Sequence, residues 1–252
     1  MDECDCGHKI DLLIGGSPCQ GFSFAGKNLN FDDPRSKLFF EYARLLKELK
    51  PKYFLLENVR MKKESMDVIS EYLGVEPIAI NSNLVSAQNR HRLYWTNIPM
   101  DGLPQDKGVV LKDILEDGIT DRDKSHCIDA NYFKGGNLKS YFEKHRRQLV
   151  FSKDGMCHVG DAGLSDKYDY VNRVYHPDGK GPSLVASSGG HLQPKISSDT
   201  QTYRKLTPRE CERLQTVPEG YTDKGISDTQ RYKMLGNGWT VDIIKHIFNG
   251  LE

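Results

Sequence analysis

The chain carries no excess charge of either sign: its 35 Lys and Arg residues balance its 35 Asp and Glu residues. Bulk charge therefore announces no nucleic-acid partner, and such a partner would have to be met by local basic patches. No apolar run reaches the ~18 residues that a membrane span needs. The N-terminus, Met1-Asp2-Glu3-Cys4, is acidic and lacks the apolar region of an export signal. The reading is a soluble, intracellular protein. Cysteine is scarce, with six residues at positions 4, 6, 19, 127, 157 and 211. They are too scattered for a disulfide framework and suit reduced thiols. Cys4-Asp5-Cys6-Gly7-His8 has the ligand types of a metal site. Ligands two apart chelate poorly, however, and no second Cys/His pair stands at finger spacing, so no metal is expected. Internal repeats and low-complexity tracts are absent too. The length of 252 residues allows one large or two modest domains.

What is present is an alternation. Residues 10–100 predict a strand at Ile10–Ile14, then a helix over Ser36–Leu49 with Leu38, Phe39, Tyr42, Leu45, Leu46 and Leu49 at helical spacing. Pro51 ends that helix, and Tyr53–Leu56 reads as a second buried strand. A helix over Met66–Tyr72 is stopped by Gly74, and short strands follow at Pro77–Ile80 and Leu93–Trp95. Strand–helix–strand repetition with wholly apolar strands predicts a parallel sheet covered on both faces. Ligands in such sheets sit beyond the carboxyl ends of the strands, and Cys19 and Glu57 fall just past two of them. Residues 101–203 are rich in Gly, Asp, Lys, Ser and Asn, with short strand-like pieces at Arg173–Tyr175 and Ser183–Val185, which predicts a loop-rich second domain. Its cluster Lys144-His145-Arg146-Arg147 reads most simply as a solvated helix face. Residues 204–252 return to helical patterning. Thr207 suits an N-cap, Pro208 the first helical position and Glu210 the far side of a capping box. Leu235–Trp239 reads as a turn before a final helix, Val241–Leu251.

Gly15-Gly16-Ser17-Pro18-Cys19-Gln20-Gly21-Phe22-Ser23 places a cysteine in a tight turn after a buried strand. A thiol ringed by small residues on a turn is placed to touch a ligand, which makes covalent chemistry the first hypothesis. Its ordinary pKa near ~8.5 means that it needs help to act as a thiolate at neutral pH. Glu57, after an apolar strand, is either an exposed strand end or a functional carboxyl. Arg90 and Arg92, two apart on an extended backbone, point to one side. They bind a phosphate, anchor Glu57 or form a surface pair.

Taken in order, Gly15–Ser23, Glu57-Asn58-Val59, Gln88–Arg92, Arg204–Gln215 and Gly236–Val241 resemble the motifs of the DNA cytosine-5 methyltransferase family. The Pro-Cys-Gln-Gly-Phe-Ser form is similar to that of bacterial and phage members, and Gly-Asn-Gly-Trp to that of the animal de novo enzymes. The resemblance covers the whole chain, with 1–100 and 204–252 as catalytic parts and 101–203 as the target-recognition domain. It implies an α/β fold, a partial Rossmann-like methyltransferase sheet lacking its first strands, plus a loop-rich target-recognition domain. The implied reaction transfers a methyl group from S-adenosyl-L-methionine to C5 of cytosine in double-stranded DNA. Cys19 would bond C6 of a flipped base, Glu57 would hold N3 and the exocyclic amine, and Arg90 and Arg92 would hold the base carbonyl, the phosphate or Glu57. Ser17, Pro18, Asn58, Asn237, Gly238 and Trp239 are implied as cofactor contacts, and Gln20, Ser23, Arg173, Gly189 and Gly190 as DNA contacts. The chemistry fits these residue types. C5 of cytosine is a poor nucleophile until thiolate addition at C6 makes it enamine-like, and a carboxyl at N3 stabilises the charge that develops. The target must leave the duplex, because C6 is otherwise stacked. Such a protein is expected in the cytoplasm of a bacterium, encoded there or by a phage and associated with the nucleoid.

One departure is large. The family's Phe-x-Gly-x-Gly cofactor loop, with the strand before it, occurs nowhere in these residues. The resemblance then implies that another chain supplies it, or that the chain is a truncated or inactive DNA-binding remnant. An RNA cytosine-5 methyltransferase shares the same motifs. The long stretch between Asn97 and Arg204 favours duplex DNA, since it is a full recognition region.

Overall fold

The computed structural model describes residues 9–16, 37–136, 138–151, 158–161, 173–175, 195–196 and 203–251. Their contacts divide the chain into two units, one of residues 1–85, 90–107 and 241–252, the other of residues 86–89 and 108–240.

The first unit is built on a four-stranded sheet in the order β1-β2-β4-β3. Strand β1 (Leu12–Gly15) lies parallel to β2 (Tyr53–Val59), with Leu12 opposite Tyr53 and Gly15 opposite Leu56. Helix α1 (Lys37–Leu49) stands between them in sequence. It turns Phe39 and Tyr42 into a core shared with Phe54 and Leu56 of β2 and with Leu93 and Trp95 of β4 (His91–Thr96). Helix α2 (Lys63–Leu73) adds Ile69 and Leu73 to the same core. Gly74 ends α2 in a left-handed conformation, φ +70°, and its N–H donates to the Ser70 carbonyl at 2.8 Å. That conformation favours glycine, which is why the helix stops there. The wholly buried Trp95 donates its indole N–H to Ser70 Oγ at 3.0 Å. Left unpaired, that group would cost about 1–3 kcal/mol.

The sheet is mixed, not parallel as the alternation predicts. β4 runs antiparallel to both β2 and β3 (Ile78–Asn81). The reason is length. Residues 82–90 alone join β3 to β4, too few for the crossover that a parallel pair requires. Asn81 shapes this link, its Oδ1 accepting from the backbone N–H groups of Asn83 at 3.3 Å and Arg90 at 2.9 Å. The first unit closes with α7 (Val241–Phe248), whose Ile243 and Ile247 are fully buried. This helix is shorter than the expected Val241–Leu251.

The second unit has its own core, including Leu111 and Ile114 of α3 (Leu111–Ile114), Tyr132, Val150, Leu206, Cys211, Leu214, Tyr232 and Leu235. Its strands pair as β5 (Leu149–Phe151) with β9 (Tyr203–Lys205), and as β6 (His158–Asp161), β7 (Arg173–Tyr175) and β8 (Lys195–Ile196). Helix α5 (Pro208–Leu214) begins as expected: Thr207 Oγ1 accepts from the Glu210 N–H at 3.1 Å, and Glu210 Oε2 accepts from the Thr207 N–H at 2.8 Å. Leu235–Asn237 belong to helix α6 (Asp228–Asn237) and are not a turn; Gly238 caps them. Of the basic cluster, only Lys144 lies in α4 (Leu138–Lys144). His145 and Arg147 follow it with left-handed φ of 49° and 57°, so the four residues do not share a helix face.

Candidate active site

Glu57 lies within β2, not past its end. The antiparallel register sets Tyr94 opposite Glu57, Leu93 opposite Asn58 and Arg92 opposite Val59. Successive residues of a strand face opposite sides, so Glu57 and Asn58 serve different faces of the sheet. Both are buried, which is unusual for a carboxylate unless it is paired. Arg92 provides the pair: its Nε stands 2.8 Å from Glu57 Oε1, with side chains only 14% and 12% exposed. Arg92 Nη1 also donates to the His91 carbonyl at 2.8 Å, which fixes the guanidinium against its own strand. Arg90 sits just before β4 and is buried. Its backbone is held at both ends, the N–H by Asn81 Oδ1 and the carbonyl by the Ser82 N–H at 3.0 Å.

The electrostatics of the group converge on Tyr94. Burial pushes its hydroxyl pKa well up and the Glu57 carboxylate adds to this, while Arg90 and Arg92 oppose it. His91 moves the other way, held below its ordinary value by partial burial and by Arg60 and Arg92. The sheet thus gathers a carboxylate and two guanidinium groups around one phenol. Asn58 Oδ1 accepts from the Val59 N–H at 2.9 Å. Ser17, Pro18, Cys19, Gln20 and Ser23 lie outside the described residues, as do Gly189, Gly190 and the Cys4–His8 cluster; Arg173 lies in β7. Among the described residues, no group of acidic, histidine and cysteine side chains could hold a metal ion. A cleft of about 500 Å³ in the first unit is lined by Gln105, Lys107, Asp242, Lys245 and His246 among others, and it contains none of the candidate residues.

In the second unit, Asn237 ends α6 with its amide exposed, and Trp239 follows half-buried. The segment is held from beneath by a side chain given no role in the sequence reading. Gln215, 1% exposed, donates through Nε2 to the carbonyls of Leu235 at 2.6 Å and Gly238 at 3.2 Å. Its Oε1 accepts from Thr240 Oγ1 at 2.9 Å and from Gln88 Nε2 at 3.0 Å. All four hydrogen-bonding positions of that amide are filled. Gln88 Nε2 also donates to the Leu214 carbonyl at 2.8 Å, and among the described residues its buried Oε1 has no hydrogen-bond partner. The signal available in the sequence was a glutamine in each of two separate motifs. Arg204 and Glu210 are structural in the same way, with Arg204 Nη1 2.8 Å from Glu210 Oε2 inside the capping box.

Type II methyltransferase M1.ScrFI of Lactococcus lactis subsp. cremoris is 32% identical over 265 residues, 94% of this chain and 61% of that protein. Type II methyltransferase M.HpaII of Haemophilus parainfluenzae is 30% identical over 271 residues, 94% of this chain and 70% of that protein. The chain therefore spans less than two thirds of the first relative's length. A crystal structure of S. pombe Dnmt2 methyltransferase superposes with a TM-score of 0.50 at 18% identity, covering 96% of this chain and 77% of that one. At that identity the likeness speaks for the α/β fold. These comparisons lend no support to a separate N-terminal chain as a partner. No helix among the described residues is long and apolar enough to cross a membrane. Residues 2–252 match the description C-5 cytosine-specific DNA methylase, and the chain belongs to that family.

Proposed function

We propose that this chain carries the base-binding and nucleophilic machinery of a DNA cytosine-5 methyltransferase. The observation that carries the reading is the buried Glu57–Arg92 pair across β2 and β4. A carboxylate fixed in this way presents a constant face to a planar, polar ring. In the proposed mechanism the Cys19 thiolate bonds to C6 of the cytosine, and electron density moves onto C5. Glu57 gives a proton to N3 and accepts a hydrogen bond from the exocyclic amine, which neutralises the negative charge that addition creates in the ring. Arg92 sets the orientation of Glu57, and Arg90 adds positive charge beside it. Once C5 has taken the methyl group, a water molecule takes the C5 proton, the Cys19–C6 bond breaks to release the thiolate, and N3 returns its proton to Glu57, which restores the ring. S-adenosylmethionine, when bound, supplies the electrophilic methyl group. The exposed amide of Asn237 and the half-buried indole of Trp239 suit the polar edge and flat face of its adenine, and Ser17, Pro18, Asn58 and Gly238 complete the proposed contacts. The segment 101–203 is assigned to target recognition, with Arg173, Gly189 and Gly190 toward the DNA and Gln20 and Ser23 beside the flipped base. These residues hold no Phe-x-Gly-x-Gly loop, so the experiment is run on the intact protein as its cell makes it. A duplex carrying 5-fluorocytosine should be trapped as a denaturation-stable adduct in the presence of S-adenosylmethionine. Cys19→Ser should abolish the adduct and leave duplex binding intact; an adduct that persists in Cys19→Ser overturns the assignment.

A further inference from the structure

A patch of positive charge on the second unit has no part in the roles above. Three lysines from three elements converge on Phe133. Lys134 follows it in the 3-10 turn Tyr132–Lys134, Lys205 ends β9, and Lys233 lies in α6. The Lys134 and Lys233 ammonium groups stand 5.8 Å and 5.4 Å from the centroid of the Phe133 ring. Lys205 Nζ donates to the Phe133 carbonyl at 2.9 Å and lies 4.4 Å from the centroid of Tyr232. Lys134 and Lys233 are exposed, and Phe133 and Lys205 are partly so.

Like charges brought together repel, and the fold offers these three little in return. An exposed cation over an aromatic face gains only about 0.5–1 kcal/mol. Among the described residues none of the three is ion-paired with a carboxylate, and acids on the adjoining segments are engaged elsewhere. Asp129 pairs with Arg146 at 3.2 Å, and Asp228 with Arg231 at 3.5 Å. The basic ground also extends beyond the lysines. Arg147 Nη1 donates to the Gly135 carbonyl at 2.8 Å, which ties the turn carrying His145 and Arg146 to the loop after Lys134. The aromatic and carbonyl contacts hold the ammonium groups in place before any ligand arrives. Such an array complements an extended polyanion. With ammonium groups over its ring, Phe133 is not a platform on which an unpaired base could stack, which favours a duplex backbone over a single strand.

We propose that Lys134, Lys205 and Lys233 form a contact site for the phosphodiester backbone of duplex DNA. The proposal rests on the DNA reading above and adds to it a surface that positions the duplex without reading its sequence. The test uses the full-length protein, fluorescence anisotropy and two labelled duplexes of unrelated sequence, across a range of salt. The double variant Lys134→Gln/Lys233→Gln should bind both duplexes roughly 10-fold more weakly at low salt, with a slope of log affinity against log salt shallower by about 2. Lys134→Arg/Lys233→Arg, which keeps the charge, should retain the slope, as should Lys224→Gln at an exposed position elsewhere on the same unit. Unaltered thermal midpoints would show that all variants are folded. A slope unchanged in the glutamine variant overturns the proposal. A loss confined to one duplex assigns the lysines to base reading and also overturns it. Failure of the unaltered protein to bind any duplex would instead bring down the DNA reading.

Discussion

Arg92 holds Glu57 through a 2.8 Å contact, with both side chains nearly out of water. Removing one partner leaves an uncompensated buried charge, which typically costs about 3–5 kcal/mol. Arg92→Met should therefore lower unfolding stability in urea by about 3 kcal/mol, and adding Glu57→Gln to it should recover part of the loss. On the mechanism proposed above, Glu57→Gln alone should slow single-turnover methyl transfer by the intact protein by roughly 10²–10⁴, the range for a positioned acid–base group. Duplex affinity should change far less, because phosphate contacts dominate binding. A second residue sets a pH dependence. Arg122 Nη1 lies 2.7 Å from His126 Nε2; a guanidinium only donates, so the imidazole must accept there and is neutral. Burial, then Arg122 and His145, depress its pKa from 6.5 to about 4. The unfolded chain thus binds the extra proton first. Stability is full above pH 6.5 and is lost as the pH falls from there toward 4. With allowance for solvent screening the loss is about 1 kcal/mol. Thermal midpoints at several pH values should show it, and His126→Gln should flatten that part of the curve.

At the scale of elements, local signals were legible where local physics decides. The spacing of Phe39 and Tyr42 foretold α1, Gly74 the end of α2, and Thr207-Pro208-Arg209-Glu210 the start of α5. The direction of β4 was not legible from its apolar content, which is the same in either orientation; the shortness of the β3–β4 link decided it. Nor does any local pattern mark Gly236, which lies inside α6 rather than in the expected turn. Its demand comes from a distant segment: a Cβ there would fall 2.2 Å from the Asp129 carbonyl carbon, and backbone cannot yield as a side chain can. Gly236→Ala should destabilise the protein by about 3 kcal/mol, the upper end for overpacking, as read from the urea midpoint. A midpoint unchanged from that of the parent would show that α6 can shift away from residue 129.

For the whole molecule, motif order carried the family, while the supports of the candidate site stayed hidden. Glu57 and Arg92 could be named from sequence, but the buried amides of Gln88 and Gln215 meet across residues far apart in the chain, and no periodicity reports such a meeting. The two units also ignore chain order. Residues 1–85 begin the first unit, 86–89 leave it, 90–107 return, 108–240 build the second unit, and 241–252 come back to the first. This interleaving bears on how the protein is made. On a ribosome the strands of the first unit emerge before the second unit, yet its closing helix, with Ile243 and Ile247, is translated only after it. Ile243 and Ile247 therefore join the first unit only after residues 108–240 have been translated, and until then that unit is incomplete. Chaperone occupancy of nascent chains should therefore be highest in that interval.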